Sequence, residues 1–253
     1  MTGGRRKTIL ITGASSGLGA EMARQFAAGG ADLVLCARRV ERLEALRAEI
    51  AAASPLSTVV VRALDVDDHD AVFRVFHEVA DELGGLDRVI VNAGIGKGAP
   101  VGTGRFDVNK QTITTNLLSA LAQCEAAMEL FRAAGAGHLV VVSSVSALRG
   151  MPKAMTAYSA SKAGIAAIAE GIRAEMIGCP VKVTTLFPGY IRSEMNDQVD
   201  QRTPLMAGTA DGVRAMVRAI EREVPTAAVP AWPWRPLSVV VRHAPLRLIR
   251  RMI

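Results

Sequence analysis

Six short, almost wholly apolar runs recur along the chain, each separated from the next by a longer stretch with helical spacing. They are TILIT (8–12), DLVLCA (32–37), STVVVR (57–62), DRVIVN (87–92), HLVVVS (138–143) and KVTTLF (182–187), with a weaker seventh, AAVP, at 227–230. Strands this apolar need cover on both faces, and the alternation with helix-period stretches is that of repeated βαβ units. Helices are expected near 17–29, 40–53, 68–83, 107–134, 157–177 and 209–223. The fold class this predicts is α/β, a doubly wound parallel sheet of about seven strands with helices on both faces. At 253 residues one core suffices, so a single domain over 1–253 is expected. In such sheets ligands bind in the crevice at the carboxyl ends of the strands, so motifs that directly follow a strand carry the most weight.

Composition removes several classes of function. The three cysteines, Cys36, Cys124 and Cys179, are far apart and odd in number, which is no disulfide framework; each lies in an apolar run, where a thiol acts as a small hydrophobe. His69, His77, His138 and His243 lack metal-ligand spacing, so no metal is expected. The net charge of +6 is dispersed, without interleaved aromatics, which argues against nucleic acid. The first apolar run is too short for a signal peptide or a membrane span, and a cytoplasmic location is the expectation.

Directly after the first run comes TGASSGLGA, with Gly13, Ser15, Ser16, Gly17, Leu18 and Gly19 leading into a helix. Glycines here permit a tight turn and let backbone N–H groups at a helix N-terminus approach a pyrophosphate. A fold of this kind that prefers NAD carries an acid at the end of the second strand, to bind the adenosine ribose hydroxyls. This chain reads CARRVERL there. Ala37 cannot repel a 2′-phosphate and Arg38 can pair with one, so NADP(H) is the expected cofactor. Arg39 is read as a solvated starter of the next helix.

Tyr158 and Lys162, in TAYSASKAG, are one helical turn apart, so the ammonium can favour the phenolate. The fifth run leads straight into Ser143 and Ser144 at the crevice edge, where a hydroxyl can polarise a substrate carbonyl. Asn116, in TITTNLLSA, sits inside a predicted helix, where an amide is a mediocre choice; an exposed helix position is the bland alternative.

The ordered set TGASSGLG, LDV (64–66), NAG (92–94), TTN ending at Asn116, VVSS, YSASK and FPGYIRS resembles the short-chain dehydrogenase/reductase family over nearly the whole chain. The resemblance implies a Rossmann-type fold and an oxidoreductase. In it Tyr158 is the general acid, Ser144 polarises the carbonyl, Lys162 lowers the tyrosine pKa and binds the nicotinamide ribose, and Asn116 holds a relay water. It further implies that Asp65 and Val66 contact the adenine and that Asn92 and Gly94 line the far side of the cofactor. Pro188, Gly189 and Ile191 then shape the nicotinamide pocket, and Ser193 contacts the carboxamide or diphosphate. Three departures stand out: Val91 where the family commonly has asparagine, Ser193 where it commonly has threonine, and a Ser144-to-Tyr158 gap one residue longer than usual. The longer gap leaves Ser146 as an alternative catalytic serine.

The polar stretch near 193–209 reads as a lid over the crevice. The last segment, PAWPWRPLSVVVRHAPLRLIRRMI, carries both tryptophans, five arginines and no acid. From Pro245 it can form a short basic amphipathic helix, either docked on the sheet edge or a partner subunit, or resting on an anionic membrane. Its prolines are expected to break any long helix. The resulting expectation is an NADP(H)-dependent oxidoreductase acting on an apolar carbonyl or alcohol substrate, as a homodimer or homotetramer. The alternatives are a 3-oxoacyl-thioester reductase and a non-catalytic dinucleotide sensor.

Overall fold

The computed structural model describes residues 6–196 and 205–252. Seven strands, β1 (Thr8–Thr12), β2 (Asp32–Ala37), β3 (Val59–Ala63), β4 (Arg88–Val91), β5 (Gly137–Val142), β6 (Val181–Pro188) and β7 (Thr226–Val229), form one sheet. All neighbouring pairs are parallel, in the order β3-β2-β1-β4-β5-β6-β7. The order reverses between β1 and β4, and a crevice opens there at the carboxyl ends of the strands.

Pleating divides the core in two. Leu10, Val89, Val91, Leu139 and Val141 point to one face, under helices α3 (His69–Leu83), α5 (Ser119–Ala134) and α6 (Met155–Glu175). Ile9, Ile11, Ile90 and Val140 point to the other, under α1 (Gly17–Ala28), α2 (Val40–Ala53) and α7 (Thr209–Glu221). Burial on both faces explains why the strands are continuously apolar instead of alternating.

Helix α3 shows how local sequence sets an element. The Asp68 carboxylate caps it by accepting from the Ala71 N–H, Gly84 ends it in the left-handed region at φ 71°, and Val72, Val75, Phe76 and Val79 form its buried stripe.

Two expectations about helices change. The single helix expected over 107–134 is three segments: α4 (Phe106–Ile113), a π-helical turn at Thr114–Leu118, and α5. Periodicity cannot show this, because the inserted residue is held by partners remote in sequence. The prolines of the last segment also do not prevent helices α8 (Ala231–His243) and α9 (Leu246–Met252). Trp232 is non-helical, so Pro233 and Pro236 fall in the first turn of the continuous part of α8, where backbone N–H groups have few helical acceptors. The expected lid lies partly outside the described residues; within them, Glu194–Asn196 forms a short 3₁₀ turn and Ile191 bridges to Ala207. Cys36 and Cys124 are buried, whereas Cys179 is exposed and does not pack as a hydrophobe.

Candidate active site

The carboxyl ends of β1, β2, β4, β5 and β6 surround a cavity of about 630 Å³. Every residue expected to bind cofactor or substrate lines it, with one exception: Asn116 lies behind its wall.

At one end is the glycine turn. Gly13 has φ +64°, and a Cβ there would lie 2.9 Å from the Ala93 Cα; a Cβ on Gly19 would lie 2.3 Å from the Gly13 carbonyl oxygen. Only glycine fits either place. Ser16 is the N-cap of α1 but makes no side-chain cap, and the first turn of α1 holds no acid. The leading N–H groups of that helix have no helical acceptors, and its dipole adds partial positive charge toward the cavity.

Thr12 and Asn92 fix the turn to β4. The Thr12 hydroxyl accepts from the N–H groups of Asn92 and Ala93, both at 3.1 Å, while the Asn92 amide donates to the carbonyls of Thr12 at 2.9 Å and Gly13 at 3.4 Å. Thr12 thus anchors the backbone after β4, whereas the Val91 side chain is core.

Of the two arginines after β2, Arg39 differs from expectation. Arg38 reaches across to Asp65, at 3.7 Å. Arg39, read from sequence as a solvated helix starter, instead turns over the glycine loop. Its guanidinium donates to the hydroxyls of Ser15, at 3.2 and 3.3 Å, and Ser16, at 2.7 Å. Glu194, arriving from the β6 side, pairs with Arg39 at 3.2 Å and with Arg42 at 2.5 Å. Although partial burial opposes it, these bonds hold the Glu194 carboxyl below the usual carboxylate range.

At the other end lie Ser144, Tyr158 and Lys162. The Ser143 hydroxyl donates to the Lys162 carbonyl at 2.8 Å, which ties the end of β5 to α6 and helps orient the face of that helix that carries Tyr158 and Lys162. Ser144 lies beside the Tyr158 phenol, close enough to lower its pKa. The Ser144 oxygen also accepts from the Ser146 N–H at 3.2 Å and the Ser146 hydroxyl at 2.8 Å. With its acceptor capacity used, Ser144 is left as a donor. The geometry therefore puts Ser144 against the tyrosine, and Ser146 supports it. The loop before α6 turns at Lys153, where φ is +58°.

Lys162 is buried, its ammonium donates to the Val142 carbonyl at 2.9 Å, and burial lowers its pKa to about 8. The sequence leads one to expect that this ammonium draws the tyrosine down. The structure gives the opposite balance: burial raises the Tyr158 phenol above its ordinary value near 10, with Tyr190 adding to the rise and only the Ser144 bond opposing it.

Asn116, buried in the π-helical turn, clamps one residue of the cavity wall. Its side chain accepts from the Ile95 N–H at 2.8 Å and donates to the Ile95 carbonyl at 2.9 Å. Gly94 passes so close that a Cβ would be 3.0 Å from Asn116 Oδ1 and 3.5 Å from Lys162 Nζ. The turn is held in place by Asp67, whose carboxylate accepts from the Thr115 hydroxyl at 2.8 Å and the Ser119 hydroxyl at 2.7 Å.

Residues 7–204 match the family model described as short chain dehydrogenase. The chain belongs to the short-chain dehydrogenase/reductase family. It is 54% identical over 251 residues to an uncharacterized oxidoreductase of Mycobacterium tuberculosis, covering 99% of each chain. An uncharacterized oxidoreductase of Myxococcus xanthus is 36% identical, over 94% of this chain and 91% of its own. Among solved structures, a short-chain dehydrogenase from Sphingobium yanoikuyae in complex with NADPH matches at 27% identity with a TM-score of 0.82, covering 96% of this chain and 95% of that one.

As a short-chain dehydrogenase/reductase, the chain is an oxidoreductase with the family's seven-stranded parallel sheet. Sequence reading missed Thr12, Arg39, Asp67 and Glu194. For Thr12 a signal existed, a hydroxyl residue ending a core strand just before the glycine turn. The other three follow β2, β3 and β6, and their partners come within reach only once the strands have taken their order in the sheet.

Proposed function

We propose that the protein is an NADP(H)-dependent reductase of apolar carbonyl compounds. The observation that carries this is a single cavity with a donor pair, Ser144 and Tyr158, at one end and an uncapped helix N-terminus beside Arg38 and Arg39 at the other. The residues fit a phosphorylated dinucleotide. β2 ends without an acid, the carboxylate of Asp65 is partly countered by Arg38, and the tight glycine turn brings the start of α1 to the cavity wall. The NADPH found in the Sphingobium yanoikuyae relative supports the same choice.

When bound, the nicotinamide supplies the hydride. The chain's own residues supply position and a proton. Ser144 donates to the carbonyl oxygen, and Tyr158 hands it a proton as negative charge develops there. Lys162 holds the nicotinamide ribose, and Asn116 keeps the Ile95 segment of the wall in place. Ile95, Met155, Tyr190 and Met195 line the cavity and favour an apolar substrate.

The test is NADPH oxidation across a panel of ketones, aldehydes and 3-oxoacyl thioesters, with Tyr158→Phe as control. The expected result is turnover of at least one apolar carbonyl, reduced a hundredfold or more in the variant, on the order of a general acid's contribution. Dinucleotide binding without turnover of any carbonyl, or near-normal turnover by Tyr158→Phe, overturns the proposal.

A further inference from the structure

We propose that the C-terminal helices form a docking surface for an anionic lipid bilayer. Three contacts fix how these helices are presented. Trp234 is 4% exposed, so close over Gly189 that a Cβ there would lie 2.0 Å from the indole, and its ring meets Tyr190 edge-on at 5.5 Å. The Arg149 guanidinium donates to the carbonyls of Arg242 and Ala244 at the end of α8. Ile249 and Ala244 are buried and seat α9.

Held in this way, α8 and α9 turn a set of large apolar side chains outward. Trp232 is 80% exposed, and Val239, Val240, Leu246 and Leu248 are exposed with it. The guanidinium-bearing Arg235, Arg242, Arg247 and Arg250 are exposed among them. None of these four takes part in an ion pair with a described carboxylate, and no acid occurs in the sequence after Glu223.

This composition selects the occupant. A second copy of the chain docked about a two-fold axis through α8 and α9 would set arginines against arginines, with no carboxylate on these helices in either copy. Anionic headgroups supply the missing countercharge, and the headgroup–acyl boundary accepts the indole and the aliphatic side chains. Trp234 links the surface to the cavity, because Gly189 and Tyr190, on which it packs, line that cavity. Docking therefore places the Tyr190 edge of the cavity beside the lipid.

The experiment is sedimentation of the full chain with vesicles of phosphatidylcholine alone and of phosphatidylcholine with phosphatidylglycerol. The expected result is binding to the anionic vesicles only, weakened by salt. Trp232→Ser with Val239→Ser and Val240→Ser should lower the partition coefficient at least tenfold, and Arg235→Gln with Arg247→Gln and Arg250→Gln should do the same. The protein has two tryptophans, one exposed and one buried. Brominated acyl chains should therefore quench the emission of Trp232 and leave that of Trp234, a readout that needs no variant. Wild-type protein that stays in the supernatant with both vesicle types, vesicle-bound protein without quenching, or a dimer that the apolar substitutions dissociate in the absence of vesicle binding each overturns the proposal. None of these readouts depends on turnover, so failure here leaves the catalytic reading untouched.

Discussion

Replacing His138 by glutamine should remove a defined part of the acid sensitivity of folding. His138 begins the core of β5 with its side chain fully buried, directly beside Arg88 of β4. Its Nδ1 accepts from Arg88 Nε at 2.9 Å, so the ring proton is on Nε2, which donates to the Thr184 hydroxyl at 2.9 Å. Thr184 passes the chain on to the Val224 carbonyl at 2.7 Å. A second ring proton would point at a guanidinium N–H. The Glu223 carboxylate, 3.9 Å from the ring, already pairs with Arg6 at 2.9 Å and does not rescue an imidazolium. Burial first, then the charges of Arg88 and Arg6, drive the His138 pKa down to about 2.

In the unfolded chain the ordinary value is about 6.5, so acid protonates the unfolded state and not the native one. The stabilising effect is present above about 6.5 and is lost progressively as the pH falls toward about 2. One proton corresponds to about 1.4 kcal/mol per pH unit well below 6.5, which integrates to about 2 kcal/mol between pH 7 and pH 5. In His138→Gln the amide oxygen can accept from Arg88 and the amide nitrogen can donate to Thr184, but nothing titrates. Urea unfolding of both proteins at the two pH values isolates the term, since all other titrating groups are shared. The wild type should lose about 2 kcal/mol more than the variant; equal losses would refute the neutral, proton-excluding histidine.

Arg39→Ala should weaken NADPH binding by tenfold or more while changing NADH binding little, in line with the loss of hydrogen bonds to a charged group; fluorescence titration with both dinucleotides checks this, and an unchanged preference removes Arg39 from the phosphate site. Gly19→Ala forces a methyl into the Gly13 carbonyl at 2.3 Å and should cost about 1–3 kcal/mol as well as dinucleotide affinity, measured by unfolding and titration. Asp67→Ala removes the acceptor of the Thr115 hydroxyl and leaves the Ser119 hydroxyl only the Thr114 carbonyl, so the π-helical turn should loosen. A drop in kcat larger than any rise in KM is expected, and unchanged kcat would show that Asn116 is positioned without it.

Much of the candidate site was legible because its parts are local. Tyr158 and Lys162 share a helix, Ser144 ends a strand, and the glycines sit where strand meets helix; short-range spacing alone brings each piece to the carboxyl edge of a parallel sheet. The π-helical turn was not legible, since Thr114–Leu118 has ordinary helical spacing and is stabilised by Asp67 and Ile95, both remote in sequence. The position of Arg39 over the glycine loop was hidden for a related reason. Adjacent residues diverge by about a side-chain direction, and what decides between them is the presence of Ser15, Ser16 and Glu194 on other elements.

The sequence by itself determined the layered α/β architecture, the strand positions, the glycine turn and the serine, tyrosine and lysine, because burial pattern and backbone freedom are written in residues close together along the chain. Only the tertiary structure decided which serine lies beside the tyrosine, which arginine covers the glycine loop, the direction in which burial moves the Tyr158 phenol and the hydrogen-bonded setting of His138. These depend on desolvation and on partners from other elements, from 14 residues away for Ser144 and Tyr158 to 155 for Arg39 and Glu194, and those are set only when the strands take their order in the sheet.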